Sequence, residues 1–103
     1  MLTEKNTDLL ISILLIERIK RCRDAYGLTQ ILAFKFNIID NVRVIKELIS
    51  EDLINYTETN GLGHFTLSAK GRYILGELDR DLFREKLLIE YPKDIEFIKV
   101  LLR

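Results

Sequence analysis

Apolar and polar positions follow different rhythms along the chain, and each rhythm predicts one kind of element. Over residues 9–19, spaced about 100° apart on a helix, apolar side chains point in nearly every direction. Thr7 or Asp8 is placed to cap this first helix, which the pattern carries to about Arg23, with Tyr26-Gly27 ending it. A surface helix needs one apolar stripe only. This one is therefore expected to be covered on two sides, by its own domain and by something else. Thr29 then caps a short helix from Gln30 to about Phe36, with Ile31, Leu32, Phe34 and Phe36 apolar. The tight connection Asn37-Ile38-Ile39-Asp40 leads to a third helix from about Asn41 to Glu51, with Asp40 or Asn41 as its N-cap. Val44, Ile45 and Leu48 cluster on one side of it with Ile49 at the edge, while Arg43, Lys46, Glu47 and Ser50 project on the other.

The period then shortens to two. Leu53-Ile54-Asn55-Tyr56-Thr57-Glu58 alternates and is rich in β-formers, and Asn60-Gly61-Leu62-Gly63 supplies the positive φ of a tight hairpin. His64-Phe65-Thr66-Leu67 returns as a second strand with Phe65 and Leu67 on one face. Ser68 caps a long fourth helix, predicted from Ala69 to about Glu90; Tyr91-Pro92 interrupts it, and Pro92 opens a last helix reaching Leu102. If that fourth helix is continuous it carries two apolar stripes. Ile74, Leu75, Leu78, Leu82 and Ile89 make one, and Tyr73, Phe83, Leu87 and Tyr91 the other. Two stripes in so small a chain imply a partner subunit on one of them.

The order helix, helix, helix, hairpin, helix is that of a winged helix-turn-helix domain. The stretches Thr29-Gln30-Ile31-Leu32-Ala33, Val44 to Ile54 and Phe65-Thr66-Leu67-Ser68-Ala69-Lys70-Gly71-Arg72 resemble the second helix, the recognition helix running into the wing, and the end of the wing in MarR- and PadR-like transcriptional regulators. The resemblance covers about Thr29 to Leu75. It implies a mainly α chain with a small β-hairpin (α+β), a single winged-helix domain over residues 1–103. Within it lie a helix-turn-helix at about 29–51, a wing at about 53–67 and C-terminal dimerisation helices at about 69–103. Two positions depart from the family pattern. Asp52 stands where these regulators usually place glycine, and the wing tip from Asn60 to His64 holds no Lys or Arg.

A recognition helix reads base edges in the major groove. Arg43 is the candidate for a guanine contact, with Lys46 one turn on and Asn41 and Ser50 beside them. Glu47 stands four residues after Arg43, the spacing of an ion pair on a solvated face. Thr29 and Gln30, beside the amides that open the second helix, form a candidate phosphate site. Lys35, Lys70 and Arg72 are placed to flank the groove, and His64 is the only potential cation at the wing tip. Contact between two subunits is expected through Leu10, Leu14, Tyr73, Phe83, Leu87, Ile98 and Leu101.

Charge qualifies this picture. Sixteen Lys and Arg balance sixteen Asp and Glu over 103 residues, so the chain is no polybasic nucleic-acid coat. Residues 31–60, the expected reading half, carry three bases against five acids. Double-stranded DNA is thus the expected partner through few contacts, which favours a homodimer. The rival is a winged helix used for protein contact, an adaptor without DNA binding. A third alternative is a ligand pocket between the first and fourth helices, lined by Tyr26, Tyr73 and Phe83.

Other chemistry finds little footing. His64 is the only histidine, so no His-based triad or histidine metal cluster arises within one chain, and no cofactor motif is present. Catalysis is not expected. Cys22 stands alone, which suits a reducing cytoplasm. The longest apolar run, Leu9 to Ile16, falls far short of the ~20 residues a bilayer span needs, so no membrane association is expected.

Overall fold

The computed structural model describes residues 4–103. In order, the chain forms α1 (Glu4–Arg18), a 3₁₀ turn (Lys20–Arg23), α2 (Ala25–Phe36), α3 (Asn41–Ser50), β1 (Ile54–Thr59), β2 (Leu62–Leu67), α4 (Ala69–Glu77), α5 (Arg80–Glu90), a second 3₁₀ turn (Pro92–Asp94) and α6 (Ile95–Leu101). It is mainly helical, with one two-stranded antiparallel sheet. None of the described helices is long and apolar enough to cross a membrane.

α1 is the central element. Ile11, Ile13, Leu14, Leu15 and Ile16 are all buried, because α2, α3, α4, α6 and β2 pack around it. The all-round apolar pattern is thus satisfied by the chain's own elements. α1 also stops at Arg18, short of the expected Arg23. Ile19 is extended (φ −116°, ψ 110°), and Lys20–Arg23 turn as a separate 3₁₀ segment that buries Cys22. Thr7 and Asp8, expected as caps, lie inside α1.

The second helix starts earlier than its apolar pattern predicts. Asp24 is the N-cap of α2, and its Oδ1 accepts the Gly27 N–H at 2.7 Å. Tyr26 and Gly27 are therefore first-turn residues of α2, not the end of the preceding helix. Gly27 is needed there because a Cβ would sit 1.9 Å from the Arg21 carbonyl oxygen. α2 ends at Asn37 in the left-handed region (φ 54°), whose N–H donates to the Leu32 carbonyl.

α3 and the hairpin follow their sequence signals closely. Val44 and Leu48 are buried, with Ile45 half-buried. Asp52 adopts φ 58°, a left-handed residue that turns the chain from α3 into β1. Thr59 pairs with Leu62 across the two-residue turn Asn60-Gly61, both residues at positive φ, as a hairpin turn of this length requires.

The long fourth helix is two helices. Leu78 is extended (φ −70°, ψ 130°), and Asp79 caps α5 by accepting the Leu82 N–H at 3.1 Å. The break resets the helical phase. Leu75 from one expected stripe and Phe83 and Leu87 from the other all enter one core, leaving Tyr73, Leu82 and Ile89 outside. α6 closes the core with Ile98, Leu101 and Leu102, while Tyr91 and Phe97 stack edge-on against Phe36 of α2 at 5.1 and 6.0 Å between ring centres.

Candidate recognition face

α3 carries the sequence-predicted reading residues, and its outward face differs from a base-reading surface in charge. Three carboxylates converge on the Arg43 guanidinium: Asp40 at 2.6 Å, Glu47 at 3.0 Å and Asp8 of α1 at 3.3 Å. The hydrogen bond from Arg43 holds the Asp40 carboxyl below its ordinary range, and the same contacts push the Arg43 pKa higher still. The Arg43–Glu47 pair is the one their spacing predicts. Asp40 lies one turn back and its contact was equally within reach of helical geometry, whereas Asp8 is 35 residues away and only the packing of α1 against α3 brings it here. Each of the three guanidinium nitrogens of Arg43 thus faces a carboxylate, and a bidentate guanine contact has to displace at least one of them.

Lys46 is exposed and has no ion-pair partner among the described residues. It shares its side of α3 with Val42 and Ile49, 62% and 50% exposed, which are seven residues apart and so nearly superimposed in helical projection. Asn41 is half-buried in the first turn, and the Ser50 hydroxyl is turned back to donate to the Glu47 carbonyl at 3.1 Å. Exposed Val42 is the feature that the sequence pattern left unread; its phase relative to Lys46 was the available signal.

The other groove residues fall elsewhere. Thr29 and Gln30 are half-buried in α2 beyond its N-terminus, and Thr29 donates its hydroxyl to the Tyr26 carbonyl. Because Asp24 occupies the N-terminus of α2, its carboxylate takes the place of an anion, and the expected phosphate site there is not formed. Lys35 faces the C-terminal segment, where it pairs with Asp94 at 3.4 Å and lies 5.6 Å from the centre of the Phe97 ring. Lys70 donates to the Glu51 carbonyl at 2.8 Å, closing the C-terminal end of α3. His64 is exposed on β2 opposite Thr57. Arg72 is exposed on the first turn of α4, lining a cleft with Arg23.

At the β1–β2 hairpin the charge is negative. Tyr56 packs over Gly63, where a Cβ would collide with its ring, and its hydroxyl donates to Glu58 at 3.3 Å. Desolvation and the Glu58 carboxylate both raise the Tyr56 pKa. Leu62, at the tip, is exposed.

Six of the seven residues expected at a subunit interface are consumed within one chain. Leu10, Leu14, Phe83, Leu87, Ile98 and Leu101 are core residues, because the broken C-terminal helix folds back over α1; Tyr73 alone is exposed. The expected ligand pocket has a counterpart with a different lining. A cavity of about 330 Å³ lies between α1 and α4, bounded by Leu9, Leu10, Ile13, Leu53 and Ile74 with Glu51 and Lys70. Tyr26 and Tyr73 point to solvent and Phe83 lies in the core, so none of the three lines it. Among the described residues no group of three or more His, Cys, Asp or Glu is placed to hold a metal ion. Burial pushes the Cys22 thiol up to about 11, so it stays protonated near neutral pH. No family model, curated protein or solved structure matches the chain.

Proposed function

We propose that the chain is a winged helix-turn-helix module of the cytoplasm that docks a protein partner through the outward face of α3. One observation carries this reading. The exposed pair Val42 and Ile49 offers i and i+7 apolar anchors with a single cation, Lys46, between them, while Arg43 is held by Asp8, Asp40 and Glu47. Such a face suits an apolar groove that bears one acid to meet Lys46, the helix-in-groove mode of recognition. It suits phosphodiester poorly, because Asp40, Glu47, Glu51 and Glu58 surround the few cations near α3 and the wing.

The experiment is capture of cellular proteins by the tagged chain at normal salt, with nuclease present. One protein retained by the wild type and lost with Val42→Asp or Ile49→Asp, at unchanged far-UV circular dichroism, is the expected outcome. Equal capture by the variants overturns the proposal.

A second reading, a dimeric sequence-specific DNA-binding regulator, has its own support. The order of α2, α3 and hairpin, with Asp52 turned left-handed at the junction, suits a winged helix, and Lys46 is available to phosphate or guanine. In that reading the subunit contact moves to the exposed Tyr73, Leu82 and Ile89. Its signature is duplex binding that falls steeply with salt and that Lys46→Ala weakens, with Arg43→Ala relaxing sequence preference.

A further inference from the structure

We infer that the edge of the molecule formed by the 3₁₀ turn after α1 and the start of α4 is a binding surface for single-stranded nucleic acid. Four cations meet there from two elements. The 3₁₀ turn after α1 exposes Lys20, Arg21 and Arg23, and this turn packs against β2, next to the start of α4 with its exposed Arg72. Arg23 and Arg72 line a common cleft of about 250 Å³ with Thr66 of β2 and with Glu17 of α1, one acid against two arginines. Arg23 is held in place, since its Nε and Nη2 donate to the Ile16 and Glu17 carbonyls at the end of α1 at 3.1 and 3.2 Å. Arg21 and Arg72 have no ion-pair partner among the described residues. The acids nearby are Glu17, which lies 3.9 and 4.0 Å from Arg18 and Arg80, and Asp24, whose carboxylate is taken up in capping α2. The edge is therefore cationic in a chain of zero net charge.

An aromatic platform adjoins these charges. Tyr26 is 72% exposed in the first turn of α2, and that turn is pressed against the 3₁₀ segment at Gly27, beside the Arg21 carbonyl. Arginines for the backbone and an exposed ring for a base are the two parts of a sequence-tolerant single-strand site. A duplex fits less well, because four cations on a short arc neutralise few phosphates and a paired base has no face free for Tyr26. This surface shares no residue with the α3 face, so it stands or falls separately from the docking role given to α3.

The test is fluorescence anisotropy with a mixed-sequence DNA single strand of about 12 nucleotides and with its duplex, from about 50 to 200 mM salt. The single strand is expected to bind with salt dependence and in preference to the duplex. Arg21→Glu combined with Arg72→Glu lowers that affinity at least about tenfold and flattens the salt dependence. Tyr26→Ala lowers it about five- to tenfold and leaves the salt slope unchanged, a result that charge alone does not produce. Lys46→Glu changes neither. All four positions are exposed, and far-UV circular dichroism checks that the variants fold. The inference is overturned by absence of single-strand binding at the lowest salt, by equal or tighter duplex binding, by unchanged affinity of Tyr26→Ala or of the double variant, or by loss of binding in Lys46→Glu.

Discussion

Asp52 pays a conformational cost at the junction of α3 and β1. Left-handed backbone costs an L-residue about 1–2 kcal/mol relative to right-handed, and glycine escapes that cost. The Asp52 carbonyl is nevertheless well used there, accepting the Ser68 hydroxyl at 2.6 Å. Asp52→Gly is expected to raise stability by up to about 1 kcal/mol, and Asp52→Val to lower it by about 1–2 kcal/mol, in urea titrations followed by circular dichroism. Gly27 answers to a different constraint, close approach. Gly27→Ala forces α2 away from the Arg21 carbonyl and should cost about 2 kcal/mol. Cys22, buried with its thiol pushed up to about 11, should resist thiol reagents at pH 8 in the folded protein and react promptly in denaturant. Thiol titration with and without urea measures the contrast. The positive φ at position 52 was foreshadowed only by a resemblance, to regulators that usually place glycine there. The demand on Gly27 was not legible in the sequence, because it arises from a carbonyl six residues back in the preceding turn.

At the scale of elements, caps and ion pairs decide where helices begin. Asp79 starts α5 after the extended Leu78, and Asp79→Ala should cost about 1 kcal/mol, read from the shift in denaturation midpoint. This boundary was hidden because Asp79 also reads as one acid among many on a solvated helix. Arg43 ties α3 to α1 through Asp8 and to its own cap through Asp40. The Asp40 carboxyl is held below its ordinary value of 3.8, so its ionised form is favoured in the folded state. Its contribution is complete above that unfolded value and is lost as the pH falls through the lower folded one. Melting temperatures of the wild type and Asp40→Asn should therefore differ near neutral pH and converge as the pH drops below 3.8. Equal melting temperatures at both pH values would remove Asp40 from the clamp.

For the whole molecule, the return of α5 and α6 over α1 matters most. It adds α6 to the cover that α2, α3, α4 and β2 give α1, and draws Phe83, Leu87, Ile98 and Leu101 into one core. Leu87→Ala should cost about 3 kcal/mol, a large fraction of the stability of a domain this size. Ile89→Ser, two residues on and exposed, should change stability by no more than about 0.5 kcal/mol. Chemical denaturation of the two variants separates a core that closes within one chain from one completed by a second subunit. In the latter case Ile89→Ser and Leu87→Ala would destabilise alike, and the loss would depend on protein concentration.

Local signals determined α3, the hairpin and the Asn60-Gly61 turn, because their apolar periods, turn chemistry and backbone demands are satisfied within a few residues. The Arg43–Glu47 pair was legible for the same reason, being one helical turn apart. The sequence also required α1 to be covered all round, and its pattern implied a second subunit for part of that cover. Tertiary structure alone decided that the cover is the chain's own α2, α3, α4, α6 and β2, that Asp8 reaches Arg43, and that Arg23 and Arg72 share a cleft. Each of these depends on residues tens of positions apart, whose contact is set by the packing of whole helices rather than by any local period. An apolar stripe states that a side chain must leave water; which partner receives it is decided only when the helix phases, reset here at Leu78 and Asp79, are fitted together.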